Sequence, residues 1–128
     1  MDDIDLLLDT TVLIDIFKED ASAVNWARQN QALRIGIPLI VWMEVIDGAR
    51  DSREQRRLYE GLNAYRVVYL DEGDQEQAKV WLRAYSLSHD IGSFDCLIAA
   101  TAVRMGKPLY TLDSDFSIIP SLQTIRPY

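Results

Sequence analysis

Four apolar runs in this chain are each interrupted by a single carboxylate. Asp9 closes Leu6-Leu7-Leu8, and Glu44 sits inside Ile40-Val41-Trp42-Met43-Glu44-Val45-Ile46. Asp95 lies between Phe94 and Cys96-Leu97-Ile98-Ala99-Ala100, and Asp113 follows Leu109-Tyr110-Thr111-Leu112. Runs this apolar belong in a core, where an unpaired carboxylate costs several kcal/mol unless a cation or strong donors compensate it. No Lys or Arg is embedded in the same way. The pattern predicts a shared acidic pocket filled by a divalent metal ion.

The same runs point to a fold class. Ile4 to Leu8 is short, apolar towards its end and stopped by Asp-Thr-Thr, as a buried strand is. Further strands are expected from Arg34 to Ile37, Arg66 to Leu70, Leu109 to Leu112 and Leu122 to Ile125. Helices are expected from Thr11 to Lys18, Asp20 to Gln31, Leu39 to Ala49 behind Pro38, and Asp51 to Ala64. Two more run from Asp71 to Ser88 and from Ser93, as the cap, to Met105, with Gly106 at the stop. Alternating strands and helices imply an α/β fold: a central, mostly parallel sheet of four to five strands flanked by helices in three layers. Ligands of such sheets gather beyond the carboxyl ends of the strands. Asp9 and Asp113 each follow a strand directly; Glu44 and Asp95 join that edge if their helices pack beside it.

At 128 residues, with 48% apolar and 26% charged side chains, the chain reads as one globular domain over 1–128. No apolar stretch approaches the ~20 residues of a membrane span, and the opening Met1-Asp2-Asp3 is acidic where a signal peptide is basic. The lone Cys96 allows no internal disulfide, which fits a reducing cytoplasm. One histidine and one cysteine exclude a structural zinc site. A net charge of −7 argues against a protein that holds nucleic acid mainly by neutralising phosphates. It is compatible with an enzyme whose acidic pocket holds a metal, because a bound cation reverses the local field.

Read together, the motifs resemble a known family. Leu7-Leu8-Asp9-Thr10-Thr11-Val12-Leu13-Ile14-Asp15 resembles the N-terminal signature of PIN-domain ribonucleases, particularly VapC-type toxins. Met43-Glu44-Val45 with Gly48, Phe94-Asp95-Cys96 through Ala102, and Tyr110-Thr111-Leu112-Asp113-Ser114-Asp115-Phe116 resemble the next three motifs. The resemblance implies a Mg²⁺- or Mn²⁺-dependent endoribonuclease, the toxin of a type II toxin–antitoxin pair. By it, Asp9 and Asp95 are the principal metal ligands, Glu44 binds a second metal or orients water, and Asp113 completes the cluster. It further implies an RNA substrate, a cognate antitoxin and a homodimer. Two positions depart from the pattern. Thr11 stands where many members have Asn or Ser, and the fourth acid is Asp113 or Asp115, Asp113 being favoured directly after its strand and Asp115 read either as supporting the metal's ligands from behind or as a helix cap.

Other residues have ordinary readings. Thr10 and Thr11 hold the Asp9 turn, Asp15 and Asp47 lie on solvated helix faces, and His89 is a loop residue. Trp26, Trp42, Trp81 and Cys96 pack in the core, and Arg50, Arg53, Arg56 and Arg57 form a solvated helix face. A phospho-receiver domain shares the length and acidic pocket, but residues 50–57 form no strand to carry its aspartate. The remaining alternatives are a catalytically silent PIN-like module that binds protein or RNA, and a DNA nuclease of the same fold.

Overall fold

The computed structural model describes residues 3–128. Five short strands, β1 (Leu6–Leu8), β2 (Ile35–Pro38), β3 (Arg66–Val68), β4 (Leu109–Tyr110) and β5 (Thr124–Ile125), form one sheet. Their order is β3-β2-β1-β4-β5, and every pairing is parallel. The flanking helices are α1 (Thr10–Phe17), α2 (Ala21–Gln29), α3 (Leu39–Asp47), α4 (Ser52–Leu62), α5 (Glu72–Tyr85) and α6 (Ser93–Met105). The α/β fold with a five-stranded parallel sheet is the one the sequence predicts.

Leu6, Leu7 and Leu8 are all buried, as a central parallel strand with both faces covered requires. Leu7 lies opposite Gly36 of β2, where an added Cβ would stand 2.8 Å from the Ile4 Cδ1 and displace that buried side chain. Three helices begin at aspartates used as caps: Asp20, Asp51 and Asp71 each accept a backbone N–H from the first turn. On α4 only Leu58 and Leu62 are buried, so that helix lays a narrow apolar stripe on the core and leaves the rest to water.

Several boundaries differ from expectation. Four of the strands are shorter, because a parallel ladder extends only as far as both partners run together, and β2 is shifted by one residue. Pro38 closes β2 opposite Val68 and then precedes the first turn of α3, so it ends a strand as well as starting a helix. Helix α5 stops at Tyr85 and not Ser88. Gly92, not Ser93, is the cap of α6, and the Asp95 Oδ2 accepts the Gly92 N–H at 3.1 Å. A 3₁₀ turn at Ser114–Ile118, absent from the sequence expectation, follows Asp113. No helix of the described residues is long and apolar enough to cross a membrane.

The sheet order fixes where a site forms. The chain builds outward from β1 to β2 and β3, then returns to the other side of β1 with β4 and β5. The reversal lies between β1 and β4, and in sheets of this kind a crevice opens there beyond the carboxyl ends of the strands. Asp9 follows β1 and Asp113 lies shortly after β4, so both stand at that crevice.

Candidate active site

Asp9 is 4% exposed and begins α1, yet its side chain makes no capping bond. Its Oδ2 instead accepts the Thr111 hydroxyl at 2.7 Å and the Thr11 hydroxyl at 3.1 Å. Both hydroxyls also accept from the loop after β4: the Asp113 N–H donates to Thr111 and the Leu112 N–H to Thr11, at 3.0 and 3.1 Å. With the Asp9 N–H donating to the Tyr110 carbonyl, the turn after β1 and the loop after β4 are pinned together.

Glu44 reaches the same region from α3, which packs against α1 and α6. Its Oε1 accepts the Thr10 hydroxyl at 2.7 Å. Thr11 therefore holds the Asp9 turn as expected, whereas Thr10 bridges to Glu44. Asp95 comes from the first turn of α6, where it also receives the Gly92 N–H. Asp113 is half-buried and caps the 3₁₀ turn by accepting the Asp115 N–H at 2.9 Å. The capping role expected of Asp115 thus belongs to Asp113, and Asp115 is exposed.

These acids act on one another. Burial pushes Asp9 above the ordinary carboxylate value, the threonine hydroxyls and the Thr10 backbone pull it back, and the charge of Asp113 adds to the rise. Glu44 is raised first by burial and then by the charges of Asp9 and Asp95, against the Thr10 hydrogen bond. Asp95 is raised by burial and by Asp113, Asp9 and Asp115, against the Gly92 N–H. The ion pairs of the described residues leave Asp9, Glu44, Asp95 and Asp113 out.

The contrast is Asp74, a buried carboxylate in the first turn of α5. It is 2% exposed, but Arg104 Nε lies 2.8 Å from its Oδ1, and Asp71 also pairs with that guanidinium. Asp74 is neutralised by a cation; Asp9 has only uncharged hydrogen-bond donors.

A divalent cation suits this donor set, which is all oxygen and carries uncompensated negative charge. As placed, no three His, Cys, Asp or Glu side chains among the described residues are arranged to ligate one ion. Glu44 is engaged by Thr10 and Asp95 by Gly92.

Beside Glu44 opens a cleft of about 640 Å³ between α1, α3 and α4. Ile14, Phe17, Val45 and Leu58 give it an apolar lining, with Arg50, Glu54 and Arg57 as charged members. The arginine cluster is therefore not only a solvated face: Arg50 pairs with Glu54, and Arg57 donates to the Phe17 carbonyl. Asp47 is exposed as expected, but Asp15 is half-buried and accepts the Tyr128 hydroxyl at 2.9 Å. Cys96, Trp26 and Trp81 are buried; Trp42 is only partly buried, edge-on to Tyr59. His89 lies exposed in its loop.

The model of the PIN domain family matches residues 6–122 of the chain. The chain belongs to the PIN-domain family. Among curated relatives of this PIN domain, the VapC ribonuclease of Mycobacterium bovis is 27% identical, with 94% of this chain and 96% of the relative covered. Ribonuclease VapC of Rickettsia bellii is 29% identical over 94% of both chains. Among solved structures, a toxin–antitoxin complex from Klebsiella pneumoniae superposes with a TM-score of 0.76 at 28% identity, covering 96% of this PIN domain and 98% of that chain. DNA-bound VapBC from Salmonella typhimurium gives 0.80 at 24% identity over 98% and 99%, a likeness of fold.

Proposed function

We propose that this PIN domain is a Mg²⁺- or Mn²⁺-dependent endoribonuclease and the toxin of a VapBC-type pair. One observation carries the chemistry: Asp9 is buried, lacks a cation and is surrounded by the charges of further acids at the sheet's reversal point. The relatives named as ribonucleases, and the Klebsiella structure named as a toxin–antitoxin complex, support the class of activity and the partner.

In this reading Asp9, Glu44, Asp95 and Asp113 hold the metal, with Asp115 outside the cluster. When bound, the cation supplies orientation of the phosphodiester, a lowered pKa for the attacking water and stabilisation of the leaving 3′-oxygen. The chain's own residues prepare for that. Thr11 and Thr111 fix the Asp9 carboxylate in one orientation, which spares reorganisation when the site fills. Glu44, with Oε1 taken by Thr10, has its other oxygen to accept a hydrogen bond from water at the cleft mouth. An antitoxin segment seated in the cleft beside Glu44, on its apolar lining and between its charged members, would cover Glu44. A homodimer in the cytoplasm completes the proposal.

The test is Mn²⁺-dependent cleavage of a mixed RNA pool by purified, antitoxin-free protein. Asp9→Asn and Asp95→Asn keep side-chain shape, remove a negative charge and should abolish cleavage, while the exposed Asp47→Asn should cleave as the wild type does. An inert wild type, or an Asp9→Asn protein that cleaves equally well, would refute the ribonuclease reading.

A further inference from the structure

The residues after β5 bond to the loop that carries Asp113 and to the helix that Asp9 begins. Arg126 Nη1 donates to the Leu112 carbonyl at 3.1 Å, while the Leu112 N–H donates to the Thr11 hydroxyl. The peptides on either side of Leu112 are thus held from both directions, immediately before Asp113. Arg126 Nε also donates to the Tyr128 carbonyl at 3.3 Å, which folds the tail on itself. From there the Tyr128 hydroxyl reaches Asp15, on the same helix that Asp9 begins. The Tyr128 ring packs against the core, and burial followed by the Asp15 hydrogen bond pushes its phenol pKa far up, so the hydroxyl remains a donor.

We propose that Arg126 and Tyr128 are positioning residues that clamp the Asp113 loop to α1 and so set the spacing of Asp113 from Asp9. The inference rests on the proposed metal site. It goes beyond the acids themselves, because neither residue belongs to any of the acidic motifs. Without the clamp the Leu112 carbonyl loses its donor, the loop samples more positions, and holding Asp113 against a metal costs ordering that the intact tail has already supplied.

The experiment is a Mn²⁺ titration of melting temperature for the wild type, Tyr128→Phe, Arg126→Ala and Arg126→Lys. Tyr128→Phe keeps the packed ring and removes only the hydroxyl. The Mn²⁺ concentration needed for a given rise in melting temperature should increase about fivefold in Tyr128→Phe and Arg126→Ala, the scale of one hydrogen bond. Arg126→Lys, which retains a donor for the Leu112 carbonyl, should recover most of that loss. Variants that melt lower without metal but gain the wild-type rise at each Mn²⁺ concentration would show a merely structural tail and overturn the clamp alone. A wild type that binds no Mn²⁺ would overturn the clamp and the metal site together.

Discussion

Asp9 and Asp74 are both buried carboxylates, and their surroundings treat them oppositely. Arg104 neutralises Asp74, whereas Thr11 and Thr111 give Asp9 hydrogen bonds but leave its charge in place. In the proposed function, its cation comes from outside the chain. Thr111 does most to hold the carboxylate, since its hydroxyl donates to Asp9 at 2.7 Å against 3.1 Å for Thr11 and also accepts from the Asp113 N–H. Thr111→Val keeps the volume but orphans both groups. It should cost about 1–3 kcal/mol of stability and lower metal affinity or cleavage about 10–100-fold, measured by denaturant unfolding and by Mn²⁺ titration. The acids were legible in the sequence because charge inside an apolar run is conspicuous. Thr111 was not: a threonine in a strand-like run is ordinary, and its partner is remote in the chain. Asp15 was misread as solvated for the same reason, because Tyr128 covers it from the far end of the sequence.

At the level of elements, the apolar runs and the caps located the strands and helices, while the ends were decided by partners the sequence does not show. Leu109-Tyr110-Thr111-Leu112 reads as one strand, yet the ladder stops at Tyr110, beyond which Thr111 and Leu112 serve the site. Ser93 looked like the cap of α6, but Asp95 supplies the acceptor for Gly92. The junction of α5 and α6 also depends on a pair that local sequence hid. Arg104, near the end of α6, bonds Asp74 in the first turn of α5 and the Tyr69 carbonyl before it. Arg104→Ala leaves Asp74 buried without its cation. Because the arginine side chain is 35% exposed, water enters in part, and a loss of about 1–3 kcal/mol is expected. Metal binding should be unchanged, since this pair acts on none of the acids at the β1–β4 crevice. Denaturant unfolding with and without Mn²⁺ checks both halves.

Over the whole molecule, charge links folding to pH and to metal. Asp9, Glu44 and Asp95 have folded-state pKa values above their ordinary ones, so the folded protein binds protons more readily than the unfolded chain. Their protonation favours the fold: the contribution is fully present below the unfolded values of about 4 and is lost as pH rises through the raised ones. With EDTA present, the melting temperature should therefore rise as pH falls from neutrality towards the unfolded values of about 4. Asp5 and Glu54, lowered by their Arg34 and Arg50 hydrogen bonds, act in the opposite sense only below that window. A metal-free melting temperature that climbs with pH across it would contradict the crowding of the acids. Saturating Mn²⁺ should flatten or reverse the trend, because metal ligands must be deprotonated. The central claim is that these uncompensated acids exist to hold a divalent cation, and thermal unfolding in Mn²⁺ against EDTA tests it most directly. The wild type should gain about 2.7 kcal/mol at a hundredfold excess of Mn²⁺ over its dissociation constant, and Asp9→Asn should lose most of that gain while unfolding no more easily in EDTA. A wild type whose unfolding is indifferent to millimolar Mn²⁺ and to EDTA would contradict it.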